Sequence, residues 1–307
     1  MTPHESPAER SLRPDLAELV CAACATAGLD GSGARVIHHY ANAVVHLPAE
    51  RAVARITGPG HTDRARLGLE VTRWLSTEAG FPATAPLAEV GPVELADATV
   101  TFWRHYPQPD RTPPGSADLG AVVRRLHDLP LPQQQLPRWR PLHALHAEVA
   151  DPAQSAALDE PDRVWLLSRI EQVRQELATL EFPLGWGMVH ADAWAGNLLW
   201  DTTSATEPVL LGDWDSVCHG PREIDLIPAW HAAVRYAKGS RWADDFAHTY
   251  GHDLAAWPGF ATLFAMRDLV QIAGPLRRAP HDAAFARALR ERVAGVRADD
   301  RGPWIAF

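Results

Sequence analysis

A chain of 307 residues allows one large domain or two modest ones, and a formal charge of −9 withholds the concentrated Lys and Arg that a nucleic-acid partner demands. The longest apolar stretches fall far short of a membrane span, and the N-terminal M-T-P-H-E-S-P-A-E-R lacks the apolar core of a signal peptide, so a cytoplasmic protein without a membrane partner is expected. Three cysteines, Cys21, Cys24 and Cys218, cannot all pair within the chain, which fits a reducing compartment.

In chain order, Ser11 to Leu29 reads as an amphipathic helix with Leu12, Leu16, Leu19, Val20 and Cys24 inward, and Cys21-Ala-Ala-Cys24 as two small hydrophobes within it. Three short strands are predicted at 34–37, 43–47 and 52–56, with connectors short enough for hairpins and no glycine in the first, 38–42. A helix follows over 62–79, then strands near 87–90 and 98–104. Gln108 to Ser116, rich in proline and polar residues, is the candidate hinge.

Beyond it the chain turns helical, with segments predicted at 117–129, 142–149 and 161–180. The last carries a core stripe of Val164, Leu167, Ile170, Val173, Leu177 and Leu180. Further helices are expected at 224–236, 242–250, 257–272 and 282–296. His143 and His146 stand one turn apart but lack the third ligand or the H-E-x-x-H context of a metal site. The aromatic terminus 301–307 is expected to pack on the helical part.

The chemistry concentrates in two stretches. Met188 to Trp200 reads M-V-H-A-D-A-W-A-G-N-L-L-W, and Val209 to Val217 reads V-L-L-G-D-W-D-S-V. Each couples an apolar run to acidic or amide side chains, the pattern of short buried strands that deliver polar groups to one edge. His190, Asp192 and Asn197 stand as H-x-D-x-x-x-x-N, and Asp213 follows the second run. A phosphoryl-transfer site needs this inventory: one carboxylate for the acceptor hydroxyl's proton, and an amide plus a carboxylate as hard oxygen ligands for Mg²⁺.

These motifs resemble the kinase catalytic loop and metal-binding aspartate in the form carried by the aminoglycoside phosphotransferase family. One departure is visible: that family usually writes H-G-D, and this chain has His190-Ala191-Asp192. The resemblance implies Asp192 as catalytic base, Asn197 and Asp213 as metal ligands, and His190 as support of the loop. It implies Asp215 as a supporting group or further metal contact, and Asp225, in G-P-R-E-I-D-L, as a brace of the catalytic loop. In the N-terminal part, Arg55 of V-A-R-I takes the third-strand position where kinases usually place a lysine on the nucleotide phosphates, with Glu70 as its ion-pair partner. Trp103 would be the gatekeeper, with Arg104 and Tyr106 as main-chain partners of the adenine.

The implied fold is α+β and bilobal, protein-kinase-like, with an antiparallel five-stranded sheet lobe over 1–105 and a larger helical lobe over 106–307. The implied reaction is transfer of the γ-phosphoryl group of ATP or GTP, with Mg²⁺, to a small-molecule hydroxyl. An antibiotic acceptor (an aminoglycoside or another hydroxylated antibiotic such as a nucleoside) leads. A metabolite acceptor of choline, homoserine or sugar type, or an inactive nucleotide-binding scaffold, is the alternative. A metal-dependent hydrolase built on His190, Asp192, Asp213 and Asp215 would require His190 as a ligand, and no further histidine follows at ligand spacing. A protein kinase is disfavoured, because the glycine-rich loop and the D-F-G/A-P-E segment are missing. A monomer or homodimer is compatible with the chain.

Overall fold

A computed structural model describes residues 14–39, 43–58, 62–96, 98–204 and 208–305. The expectations for Leu12, for residues 40–42 of the first connector and for Phe307 lie outside them. The chain divides into two compact units. One is Met1–Pro113 with Pro132–Gln135 and Gly196–Val217, and the other is Pro114–Leu131 with Leu136–Ala195 and Cys218–Phe307.

The first unit is built on a five-stranded antiparallel sheet in the order β1-β2-β3-β5-β4. Its strands are β1 (Arg35–His39), β2 (Ala43–Leu47), β3 (Ala52–Thr57), β4 (Val93–Leu95) and β5 (Ala98–Arg104). The strand expected at 87–90 is absent. That segment is held by isolated contacts, the Leu87 N–H donating to the Phe102 carbonyl, and the edge strand begins instead at Val93, which pairs with Val100. Helix α1 (Pro14–Ala27) lays Leu16, Val20, Ala23 and Cys24 on the buried row Val45, Leu47, Ala52, Ala54, Val100 and Phe102. Cys24 is buried as expected and burial pushes its thiol pKa up, while Cys21 is exposed.

Strand alternation sorts the two faces of this sheet. Ala52, Ala54 and Ile56 fill the core, so Val53 and Arg55 project to the opposite face, where the register sets Val53 against Trp103 and Arg55 against Thr101. Helix α2 (Thr62–Thr77) buries Ala65, Gly68, Leu69, Val71, Thr72 and Leu75. The same unit holds the short hairpin β7 (Leu198–Trp200) and β8 (Val209–Leu211), in which Leu198 pairs with Leu211.

The second unit is mainly helical: α3 (Ser116–His127), α4 (His143–Ala150), α5 (Glu160–Ala178), α6 (Ile227–Arg235), α7 (Ser240–Tyr250), α8 (Phe260–Val270), α9 (Ala273–Arg278) and α10 (Ala283–Arg297). On α5 the buried stripe is Leu166, Ile170, Val173 and Leu177; Val164 is exposed, so the stripe starts two residues later than its aliphatic spacing suggests. The helix expected from Ile224 begins instead at Ile227, after a 3-10 turn over Arg222–Asp225 that turns the Asp225 side chain inward. The helix expected over 257–272 is α8 alone, preceded by a 3-10 turn at Leu254–Ala256. Helix α9 forms across Gly274-Pro275 because proline is tolerated in a helix's first turn. Between α5 and α6 a two-stranded ladder, β6 (Trp186–Val189) with β9 (Cys218–Pro221), pairs Val189 with Cys218.

Candidate active site

In the first unit the β7–β8 hairpin places two motif ends side by side. The Gly212 N–H donates to the Asn197 carbonyl at 2.8 Å, extending the Leu198–Leu211 pairing by one step, so Asn197 and Asp213 emerge at the same end. The hairpin is also tied to the preceding loop: the Thr84 N–H donates to the Leu211 carbonyl and the Leu211 N–H to that of Pro82, at 3.0 and 2.8 Å. Asp213 adopts a left-handed conformation, φ +61°, which aspartate tolerates better than most residues. Trp214 then turns inward, its indole N–H donating to the Leu211 carbonyl and its ring meeting Phe81 edge-on. The buried tryptophan thus fixes Asp213 and Asp215 on either side of itself.

Arg55 closes this arrangement. Its Nη2 donates to Asp213 Oδ1 at 2.8 Å and its Nη1 to Asp215 Oδ1 at 2.5 Å, with the guanidinium side chain 13% exposed. Burial works against its charge, but the two carboxylates outweigh burial and hold its pKa above the ordinary arginine range. The expected Arg55–Glu70 pair does not form. Glu70 follows buried Leu69 on α2 and is exposed, while α2 turns Gly68 toward the Trp214 carbonyl. The helix therefore approaches the motif through a residue with no side chain, and Asp215, expected as a metal or supporting group, takes the arginine.

Along β5, Trp103 is buried and its indole N–H donates to Thr101 Oγ1 at 2.8 Å. Arg104 is exposed, and its backbone N–H is committed to the Ala85 carbonyl, so it is not a donor for a base. Tyr106 Oη accepts from the Ala85 N–H at 3.1 Å, and burial pushes the phenol pKa up. The following segment is pinned to β7, where the Trp200 N–H donates to Gln108 Oε1 and the Arg111 guanidinium lies 3.6 Å over the Trp200 ring.

In the second unit, β6 is followed by buried His190, and the loop there is held by Asp225. One carboxylate oxygen of Asp225 accepts from the His190 N–H and the other from the Ala191 N–H, both at 2.7 Å. Asp225 lies 3.1 Å from His127 Nε2, and His127 Nδ1 lies 2.8 Å from Tyr250 Oη, whose pKa is raised, chiefly by burial. Ala191 stands where the family pattern carries glycine, and it has φ +62°, a left-handed conformation that strains an alanine. The Asp225 fork holds the loop in that shape.

Asp192 follows directly. Its side chain is 39% exposed, and Asp192 Oδ1 accepts from Arg267 Nη1 of α8 at 3.0 Å. Arg267 carries no motif that reports it, since the only sequence trace is an arginine inside an otherwise apolar helix, F-A-T-L-F-A-M-R-D-L-V. The neighbouring Asp268 accepts from Arg235 Nε and Nη2 at 2.8 and 2.6 Å and lies 3.0 Å from His231 Nε2. Burial outweighs the carboxylate and pushes the His231 pKa down to about 4. The C-terminal segment packs on this network: Arg235 Nη1 donates to the Asp300 and Gly302 carbonyls, and the Trp304 ring stacks at 4.4 Å from the Arg235 guanidinium.

Asn197 and Asp213 suit a hard divalent cation. They offer an amide and a carboxylate oxygen at one hairpin end, and Mg²⁺ commonly takes only one or two protein ligands, the rest being phosphate and water oxygens. Among the described residues no group of three or more His, Cys, Asp or Glu side chains is arranged to hold a metal, which concerns sites built wholly from protein ligands.

Residues 34–263 match the family model described as the phosphotransferase enzyme family. Among solved structures, the chain is similar to a spectinomycin phosphotransferase in complex with ADP and spectinomycin (15% identity, 95% of this chain and 100% of that one, TM-score 0.61). It is similar to a microcompartment-associated aminopropanol kinase (16% identity, 92% and 99%, TM-score 0.65). It is also similar to a choline/ethanolamine kinase family protein from Mesorhizobium loti (20% identity, 92% and 93%, TM-score 0.62). These likenesses carry the fold: α+β and protein-kinase-like, with an antiparallel sheet lobe and a larger helical lobe. No curated protein matches the chain.

Proposed function

From the premise that the chain belongs to the phosphotransferase enzyme family, we propose that it moves the γ-phosphoryl group of ATP or GTP to a hydroxyl of a small molecule in the cytoplasm. The observation that carries this is the hairpin end at which Asn197 and Asp213 emerge together beside the buried Arg55 fork. A bound Mg²⁺ would supply charge neutralisation on the phosphate oxygens, with Asn197 and Asp213 as its protein ligands. Arg55 orders the acidic pair, and its guanidinium is the cationic group of the N-terminal sheet for the phosphates. Trp103 and the Tyr106 main chain border the adenine in this assignment.

Asp192 is the base. The acceptor oxygen forms its bond to the γ-phosphorus as the bond from that phosphorus to the bridging oxygen breaks. The hydroxyl proton passes to the Asp192 carboxylate, and the nucleoside diphosphate leaves with the bond's electron pair. His190 and Asp225 hold the loop that presents it. The acceptor is a hydroxylated antibiotic in this reading. The structural relatives name both an antibiotic acceptor and amino-alcohol kinases, so choline-, homoserine- and sugar-like compounds belong in the same screen.

The test is coupled nucleotide turnover with Mg²⁺, ATP and GTP taken separately, across hydroxylated antibiotics and metabolites. Acceptor-dependent release of diphosphate names the substrate class. Nucleotide binding with no turnover across the panel would replace this reading with that of an inactive scaffold.

A further inference from the structure

The phosphoryl-transfer reading leaves Arg267 without a role, although it donates to the proposed base. We infer that Arg267 is a positioning residue for Asp192: it anchors one carboxylate oxygen so that the carboxylate plane is fixed when the acceptor hydroxyl arrives. This rests on the assignment of Asp192 as base.

Three observations carry it. The contact is single, Nη1 to Oδ1 at 3.0 Å, and not the two-pronged fork with which Arg55 takes its own partners, so the arginine claims Oδ1 alone. Arg267 is itself immobilised, its side chain 9% exposed while that of Asp192 is 39% exposed. A buried arginine meeting a more exposed carboxylate is the geometry of a fixed post holding a group that works at the surface. Finally, the next residue along the helix locks the post. Asp268 is buried against Arg235 and His231 of α6, which fixes the rotation of α8 about its axis and with it the direction in which Arg267 projects.

The contact also sets how the catalytic step divides between binding and chemistry. Arg267 touches the base and not the reacting atoms, so losing it leaves the acceptor and nucleotide sites in place and removes the anchor on Oδ1. Misplacement of a reacting group by about 1 Å costs on the order of 100-fold in rate. The loss belongs in kcat, with KM spared.

The experiment compares Arg267→Met, Arg267→Lys, Asp192→Asn and the double variant Asp192→Asn/Arg267→Met in the full chain, with melting temperature and nucleotide affinity as independent checks of folding. The expected result is that Arg267→Met lowers kcat by about 10- to 100-fold with acceptor KM unchanged within about twofold. Arg267→Lys restores part of that loss. In the Asp192→Asn background Arg267→Met adds nothing, because the two residues act as a unit. Wild-type kcat in folded Arg267→Met, or a change confined to acceptor KM, overturns the inference and leaves Asp192 as base. Wild-type kcat in Asp192→Asn overturns the base assignment, and the inference with it. Should Arg267→Met fail to melt cooperatively, Arg267→Gln carries the same comparison, with the same kcat loss expected and wild-type kcat overturning the inference.

Discussion

Each unit contains one buried arginine facing aspartates of a motif, and the two arrangements differ in stoichiometry. In the sheet unit Arg55 bonds both Asp213 and Asp215, so three formal charges sum to −1. In the helical unit Arg267 meets Asp192 alone, and the pair is neutral. The Arg55 trio retains attraction for a further cation, and Asp213, at 43% exposure, has a face open to solvent that can receive one. In the proposed assignment the same two residue types serve a cation site in one unit and a held carboxylate in the other.

The sharpest way to break that distinction is to neutralise one aspartate from each. Asp192→Asn should lower kcat by about 10²- to 10⁴-fold, the usual worth of a positioned base, at every Mg²⁺ concentration. Asp213→Asn should cause a loss of similar size, but with a raised Mg²⁺ requirement and partial recovery as Mg²⁺ is added. A Mg²⁺ titration of both variants checks this. Recovery of Asp192→Asn with metal, or a Mg²⁺-independent defect in Asp213→Asn, would reverse the two roles.

The same contrast explains what the sequence made legible. The Arg55 side was readable because strand alternation and an apolar run ending in G-D-W-D are local patterns, each decoded over fewer than about ten residues. Four of the five antiparallel strands and most helices followed from the same periodicities. The pairing of Arg55 was not readable. Glu70 satisfies the order of kinase elements, but which helix face meets the sheet was decided by the packing of Ala65, Gly68, Leu69 and Thr72, and that face excludes Glu70. Arg267 was still less accessible. It lies 75 residues from Asp192, and its only local context is an apolar helix, where an arginine reads as a solvent-facing exception. Asp225 was legible as a brace because of its motif, but its partners, two backbone N–H groups, leave no trace in residue types.

The network behind Arg267 is also the acid-sensitive part of the comparison. His231 is held neutral in the folded protein, with its pKa pushed down to about 4 by burial, while in the unfolded chain it titrates near 6.5. The unfolded state takes the proton first, so stability falls as pH drops through 6.5 and levels off, for this group, at about 4. The loss over that window is on the order of 3 kcal/mol. Urea melts between pH 7 and 4 should show it, and His231→Gln should flatten the curve there. An unchanged pH dependence in the variant would show that burial does not hold His231 neutral.

Replacing each arginine by lysine separates a fork from a post. Arg55→Lys puts a point charge where two carboxylates were each bonded, and losing one charge-assisted hydrogen bond costs about 1.5–3 kcal/mol. Nucleotide KM should rise by about tenfold or more, with kcat less affected. Arg267→Lys should do the opposite, lowering kcat while both KM values hold. Steady-state kinetics on the two variants decides the matter, and identical signatures would erase the distinction.

The smallest effect concerns the backbone. Each unit carries a left-handed residue at its motif, Asp213 with φ +61° and Ala191 with φ +62°. Aspartate adopts that conformation readily, whereas alanine pays about 1 kcal/mol for it. Ala191→Gly removes the strain but gives the unfolded chain more freedom, an opposing term of about 0.4–1 kcal/mol. The net change should therefore lie between zero and about 0.6 kcal/mol of added stability, with kcat within about twofold of wild type, since the Asp225 carboxylate bonds the N–H of residue 191 whatever its side chain. Thermal melts and turnover on this one variant test whether the loop's shape comes from Asp225. A kcat loss well beyond twofold would show that the alanine methyl itself, and not the carboxylate behind it, keeps Asp192 in place.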